Sequence, residues 1–394
     1  MTDFFVTWSR QRDAQLLPVR RAVGDEFVLD EGRLVYDFTS TSFQASFGHS
    51  HGPIVSRIAD QLYLMPMASP KADFELKRNA TKELLDLVNL DGRIMFTVSG
   101  AESVENALKI ARQQTGRSVV LARKKSYHGA TLGAMSVSGD WRRDGHLNFE
   151  EGTLRIPEPG DDPHGVEMHR MVESFGPDRV AALIVEPITG TNGVYIPPAS
   201  WWQAAVDLCR RQGILLICDE VLVGFGRCGS HFAFQQFGIQ PDMITMSKGI
   251  SGGYIPFGAV WVNDRLSRYY DQEILRAGLT NYAHPLGLAA LQGVIHSLRD
   301  SNFQQAKQRL ELKFSEEISR LAAQFNASAV RLRGLLAAIE FGQRTLPAWP
   351  HFVDHGLYVF TKANMLILAP PFVSQPHRLS QAFEALHEAL AMIR

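Results

Sequence analysis

The sequence predicts an α/β protein: a mostly parallel β-sheet covered by helices on both faces, with a smaller α+β unit assembled from the two ends of the chain. Three observations support this. Through the middle of the chain, short apolar runs alternate with stretches of helical periodicity. The runs are nearly continuous in Val, Ile, Leu and Met, as strands buried on both faces require. Their βαβα order implies crossover connections and therefore parallel neighbours.

Taken in order, residues 1–50 read as short strands and loops, with Glu26-Phe-Val-Leu29 and Arg33-Leu-Val-Tyr36 as the extended pieces. A buried strand over 93–98 leads into a helix over 101–112. Further buried strands are expected at 118–122, 180–185, 214–218, 243–246 and 257–262, with helices at 165–173 and 200–211 between them. From Pro285 a long helical tract, with Ala289, Leu291 and Ile295 among its apolar positions, continues through 310–325. Short strands over 329–332, 335–341 and 365–368 follow, then an amphipathic helix over 376–392. The chain therefore divides into a large α/β unit at 51–285 and a smaller α+β unit made of 1–50 and 286–394.

Composition narrows the class. With 45% hydrophobic and 21% charged residues, the 394-residue chain is globular, not collagen-like, low-complexity or disordered. Basic and acidic residues, 40 and 41, leave a net charge of −1. No basic surplus advertises nucleic acid or an anionic membrane. Cys209, Cys218 and Cys228 show no C-x-x-C spacing, which argues against a disulfide framework and for a reducing compartment. The first twenty residues lack the apolar stretch of a signal peptide, and the strongest apolar runs fall short of the roughly 20 residues a membrane helix needs. A cytoplasmic location is expected. No histidine pair has the H-E-x-x-H form and no metal site is expected.

Several segments carry chemistry. Ser99-Gly100-Ala101-Glu102 lies between the strand over 93–98 and its helix; Ser99 and Glu102 have capping-box spacing. The turn is either an ordinary capped start or a phosphate site served by free N–H groups and the positive end of the helix dipole. Asp219-Glu220 falls at the carboxyl end of the strand over 214–218, the edge of an open α/β sheet where ligands bind. Burying such a pair requires a cationic partner; otherwise Asp219 caps the next turn or meets a surface arginine. Ser247-Lys248-Gly249 follows the strand over 243–246. Lys248 is either a solvated surface group or a desolvated amine of lowered pKa suited to a Schiff base. His128, beside Tyr127, either lines a pocket or satisfies a backbone carbonyl.

Two glycine patterns mislead. Gly224-Phe-Gly226-Arg-Cys-Gly229 has the form G-x-G-x-x-G, and a nicotinamide-dependent oxidoreductase rests on it alone. The dinucleotide motif needs a strand running straight into the first glycine and a helix opening at the third. Here Asp219-Glu220 and Val221-Leu-Val223 intervene, and Gly238 and Pro241 soon follow. Gly249-Ile-Ser251-Gly-Gly253 mimics a hydrolase elbow, but that needs a helix directly after the serine; Gly252, Gly253 and Pro256 make it a loop.

Together, in order and approximate spacing, these segments resemble the class III (ornithine/ω-amino acid type) aminotransferases, pyridoxal-phosphate (PLP) enzymes of fold type I. The resemblance is carried by Ser99-Gly-Ala-Glu102 with Glu105-Asn-Ala107, Tyr127-His-Gly129, Glu186-Pro187, Asp219-Glu-Val221, Gly224-Phe-Gly-Arg227, Ser247-Lys-Gly249, and Thr280 with His284-Pro285. It extends from Trp8 and the Asp37-Phe38 to Gly48-His49 segment as far as Ala369-Pro-Pro371. It implies that Lys248 forms the Schiff base and that Asp219 holds a proton on the pyridine nitrogen. Val221 and Tyr127 would cover the two ring faces. Ser99, Gly100 and Ala101 would hold the phosphate, with His128 and Glu186 as further pocket residues. It also implies a homodimer, Thr280 reaching the phosphate of the neighbouring subunit. Racemisation or amine migration on the same scaffold would use the same motifs.

Departures from the family pattern bear on tuning and substrate. Leu222-Val223 replaces the usual Gln-Thr, and Asn281-Tyr282-Ala283 follows Thr280 where Tyr-small-Gly is common. Ile367 stands where members acting on α-amino acids often carry an arginine. The Phe5-Val-Thr-Trp8-Ser segment and Ser138-Gly-Asp-Trp-Arg142 resemble relatives that take ω-amino acids, taurine-like sulfonates or simple amines and pass the amino group to pyruvate or 2-oxoglutarate. Trp8 and Phe43 would wall an apolar slot for the donor, or else belong to the core. Arg142, or another arginine, would meet the keto acid's anion.

Overall fold

The computed structural model describes residues 3–146 and 152–392, so residues 1–2 and 393–394 of the expected small unit and 147–151 of the expected large unit lie outside it. The chain opens with β1 (Val19–Val23), β2 (Glu26–Leu29) and β3 (Leu34–Asp37), an antiparallel ribbon. The central sheet follows: β4 (Gly92–Thr97), β5 (Val119–Arg123), β6 (Thr153–Ile156), β7 (Val180–Val185), β8 (Leu215–Asp219), β9 (Met243–Met246) and β10 (Gly258–Asn263). Its seven strands lie in the order β4-β10-β9-β8-β7-β5-β6. The C-terminal part adds β11 (Ala329–Arg333), β12 (Leu336–Glu340), β13 (Leu357–Tyr358), β14 (Phe360–Lys362) and β15 (Met365–Leu368). β13 joins the opening ribbon by pairing parallel with β3, and the other four form their own sheet in the order β11-β12-β15-β14.

The expectation of a mostly parallel sheet holds, and β10 is the exception: it runs antiparallel to both β4 and β9. The reason is the link between β9 and β10, which contains Lys248 and is too short to carry a crossover helix. A short return allows only antiparallel pairing. Because β10 reverses twice, β4 points the same way as β5, β7, β8 and β9. Their carboxyl ends therefore share one edge.

Every residue of β7 and β8 is buried, in keeping with their apolar composition. Helices Gly100–Thr115 and Ala199–Gln212 are amphipathic and bury Val104, Leu108 and Ala111, and Trp201, Ala205 and Leu208, respectively. The helices Gly52–Leu64 and Glu75–Val88, which the sequence pattern alone does not identify, pack on Pro285–Arg299. Pro53 opens the first in a position where no N–H is needed, and Asn89 ends the second with a left-handed φ of 58°. The strand over 153–156 is likewise new. Among the described residues no helix is long and apolar enough to cross a membrane.

One segment outside the sheet is held in a costly conformation. Ser40, Thr41, Ser42 and Phe43 all have φ between 46° and 69°, a left-handed turn without glycine. Asp37 offsets the strain: one carboxylate oxygen accepts from the Thr39 N–H and hydroxyl, the other from those of Thr41. The buried Arg227 fixes the segment from the other side. It donates to the hydroxyls of Ser40 and Ser46 and to the carbonyls of Leu335 and Pro370. The arginine of the misleading glycine pattern is thus a brace that ties residues 40–46 to the C-terminal part of the chain.

Candidate active site

The shared edge of β4, β5, β7, β8 and β9 collects the residues singled out above, where an open α/β sheet binds ligands. Asp219 ends β8 and is 3% exposed. One of its oxygens accepts from the Val221 N–H at 3.1 Å and the Thr245 hydroxyl at 3.0 Å. The other lies 2.6 Å from His128 Nδ1. A carboxylate can only accept, so Nδ1 carries the hydrogen, and His128 Nε2 is left buried without a partner. Asp219 therefore neither meets a surface arginine nor merely caps a turn. The neighbouring Glu220 is structural. It accepts from the N–H groups of Ala233 and Phe234, and burial pushes its pKa up to about 8.

Lys248 sits just past β9 with a left-handed φ of 44°. Gly249 must follow, since a Cβ there would come within 2.8 Å of the Phe225 side chain. Burial lowers the Lys248 amine to about 8; the carboxylates of Asp219 and Glu186 pull it upward, and the charge of Arg142 lowers it further. It is a desolvated amine, not a solvated one.

The helix Gly100–Thr115 begins beside Val221 and Ser247, the neighbours of these two groups. Ser99 caps it by accepting from the Glu102 N–H at 3.1 Å. Glu102 reaches back to the N–H of Val98, one residue short of the reciprocal capping box. Gly100 lies against Val221: a Cβ there would be 2.8 Å from a Val221 methyl. The first N–H groups of the helix, at Gly100 and Ala101, have no intrahelical acceptor and suit an anion.

Tyr127 and Glu186 close another side. Glu186 accepts from the N–H groups of Tyr127 and Gly190, and burial raises its pKa. The Arg142 guanidinium stacks 4.3 Å from the Tyr127 ring centre and is paired with Asp140 at 2.7 Å. Trp8 is 46% exposed and meets Trp141 edge-on, with Arg142 beside it. Phe43 is buried with Leu222 and Ile367 and touches Phe360. Trp8 and Phe43 thus find different aromatic partners. Thr280 lies exposed in a stretch without regular structure.

Two features are not anticipated by the sequence pattern. Thr245, a buried hydroxyl in an otherwise apolar strand, is the legible signal for a partner of Asp219. Lys362 and Asn192 have none. Neither glycine pattern opens an α-helix: turns follow Gly224, and Gly249 lies in the single 3-10 turn Lys248–Ile250. Among the described residues no cluster of three His, Cys, Asp or Glu side chains suits a metal. A cavity of about 1090 Å³ lies at the opposite, amino edge near Arg117, Trp202 and Asp242.

A buried carboxylate, helix N–H groups free to meet an anion, a desolvated lysine, and apolar and aromatic side chains beside them fit a flat phosphorylated pyridine aldehyde. Fold and site together define a PLP enzyme of fold type I. The profile of the class-III aminotransferases matches residues 7–390. The chain is 31% identical to an omega-aminotransferase of Caulobacter vibrioides, covering 92% of this chain and 91% of that one. It is 29% identical to an acetylornithine aminotransferase of Methanothermobacter thermautotrophicus, over 92% of each. The solved taurine:2-oxoglutarate aminotransferase of Bifidobacterium kashiwanohense, bound to PLP and glutamate, superposes with a TM-score of 0.91 at 30% identity, covering 98% of this chain and 95% of that one. The chain belongs to the class-III aminotransferase family, and with it the protein is a PLP-dependent enzyme.

Proposed function

We propose that this aminotransferase takes its amino group from a terminal amine or ω-amino acid, taurine-like sulfonates included, and delivers it to a keto acid such as pyruvate or 2-oxoglutarate. The observation that carries this reading is Ile367. It is fully buried in β15, paired with Phe360 and Ala338, in the place where α-amino acid enzymes often hold a carboxylate-binding arginine. An aliphatic side chain cannot replace a bidentate guanidinium. Leu222, in place of the family's Gln, adds apolar surface against Gly190. The omega-aminotransferase and taurine aminotransferase relatives support the same donor class.

Bound PLP supplies an electron sink for negative charge developing at the substrate carbon. Lys248 Nζ would anchor the cofactor and, once free, would carry the proton from the substrate carbon to the cofactor carbon. Asp219, aimed by Thr245 and His128, keeps a proton on the ring nitrogen. Ser99, Gly100 and Ala101 bind the phosphate, Val221 and Tyr127 press on the ring faces, and Glu186 holds the Tyr127 backbone in position.

The donor class is tested on the loaded enzyme with no keto acid present. β-Alanine, taurine or a simple terminal amine should bleach the visible cofactor band faster than glutamate or the α-amine of ornithine. The reverse order would overturn the donor reading.

The reading includes a homodimer, with Thr280 serving the phosphate of the other subunit. Its support is the exposed Thr280 and two stretches of exposed apolar side chains, among them Tyr63 at 90%, Met67 at 73% and Ile274 at 71%. Single monomers seldom leave such residues in water together. Mixing inactive Lys248→Ala chains with Thr280→Ala chains should restore activity as heterodimers form, since one of the two sites then carries neither lesion. A fully active monomer in sedimentation would contradict it. The separate N- and C-terminal sheets support a large unit at 51–285 and a small one from 1–50 and 286–394. Three buried, unpaired cysteines support a reducing, cytoplasmic setting.

A further inference from the structure

Arg142 and Lys362 approach one bridge at the rim of the site from different parts of the chain. Arg142 Nη1 donates to Asp140 Oδ2, the same oxygen accepts from Asn192 Nδ2 at 3.3 Å, and Asn192 Oδ1 accepts from Lys362 Nζ. The other Asp140 oxygen is taken by the Arg142 N–H. The bridge thus contains two cations, one carboxylate and one neutral amide, and carries a surplus positive charge. Burial and the charge of Arg142 both push the Lys362 amine towards neutrality, and Asp140 opposes them.

Both cations border the chemistry. Arg142 stacks on Tyr127, and its charge reaches Lys248. Lys362 lies two residues beyond Phe360 on β14 and so shares its face; Phe360 packs on Phe43, with ring centres 5.8 Å apart. Phe360 is also the cross-strand partner of Ile367. The positive charge missing at Ile367 is therefore supplied nearby, from the adjoining strand. Each cation retains donors beyond the one spent on the bridge, since an ammonium has three and a guanidinium five.

We propose that Arg142 and Lys362 together bind the acid group of the keto-acid acceptor that lies farthest from its reacting carbon, making the enzyme favour acceptors with a distal carboxylate over those without one. This rests on the aminotransferase reading above and adds Lys362 as a specificity-determining residue. A purely structural tie between Lys362 and Asn192 would not distinguish acceptors by their distal charge.

The test uses the loaded enzyme with 2-oxoglutarate, which has a distal carboxylate, and pyruvate, which has none. Lys362→Met should raise the KM for 2-oxoglutarate about tenfold or more, the scale of one charged hydrogen bond. Its kcat and the KM for pyruvate should stay within about twofold. Lys362→Arg should restore the wild-type KM. Calorimetry with glutarate, an unreactive diacid, should show the same weakening of Kd. Lys362→Gln, which keeps a polar chain of similar length without the charge, should reproduce the effect and covers the case of a poorly folded Lys362→Met. Parallel changes for both keto acids, or unchanged KM and glutarate binding, would overturn the proposal. Bleaching of the visible band by a terminal amine is read separately: its absence would sink the donor reading, whereas normal bleaching with unaltered 2-oxoglutarate binding sinks the clamp alone.

Discussion

Lys248→Ala is expected to lower amino-group transfer by about 10⁴-fold or more while leaving the protein folded, because one side chain serves both as covalent anchor and as proton carrier. Alanine tolerates the left-handed φ at this position no worse than lysine, so the backbone should hold. After borohydride treatment of the wild type, a pyridoxyl group should be found on the peptide containing residue 248; an adduct on another lysine would refute the assignment. The buried amine also has a pH signature. Its pKa is lowered to about 8 by burial, so below that value it is an ammonium and cannot add to a carbonyl. Covalent capture of PLP by the cofactor-free chain should speed up with rising pH and level off near 8. A solvated lysine would keep gaining until about 10.4.

Asp219→Asn should lower kcat by about 10²- to 10³-fold, the scale of losing one well-placed electrostatic group. Asparagine keeps the volume but not the charge, and it turns an N–H₂ group towards either His128 or the Thr245 and Val221 donors. Turnover at the wild-type rate in this variant would remove Asp219 from the chemistry. Tenfold higher PLP concentration should not rescue it, which separates loss of proton-holding from loss of cofactor affinity.

The sequence made the central sheet legible because β7 is wholly apolar and β8 and β9 are nearly so, which only burial on both faces accounts for. It also located Asp219 at the end of its strand and Ser99 and Lys248 just past theirs, where polar residues close the apolar runs. Other features depended on partners distant in the chain. The left-handed turn at 40–43 is written in residues with no intrinsic preference for it, and it exists because Asp37 and Arg227 hold it. The β10 reversal follows from the length of a link, not from the strand's own composition. The two helices at 52–64 and 75–88 have modest apolar faces that gain meaning only against Pro285–Arg299. Lys362 and Asn192 lie far apart in sequence and carry no motif, so their meeting with Asp140 is visible only in three dimensions.

The most direct test of amino-group transfer is the visible spectrum of the loaded wild-type enzyme through one full cycle. Taurine or β-alanine, added without an acceptor, should bleach the band once per site and leave it bleached. 2-Oxoglutarate or pyruvate should then restore it, with the new amino acid appearing in equal amount. A band that no terminal amine alters, or one that returns without any keto acid, would contradict transfer of an amino group between terminal amines and keto acids by Lys248 and its neighbours.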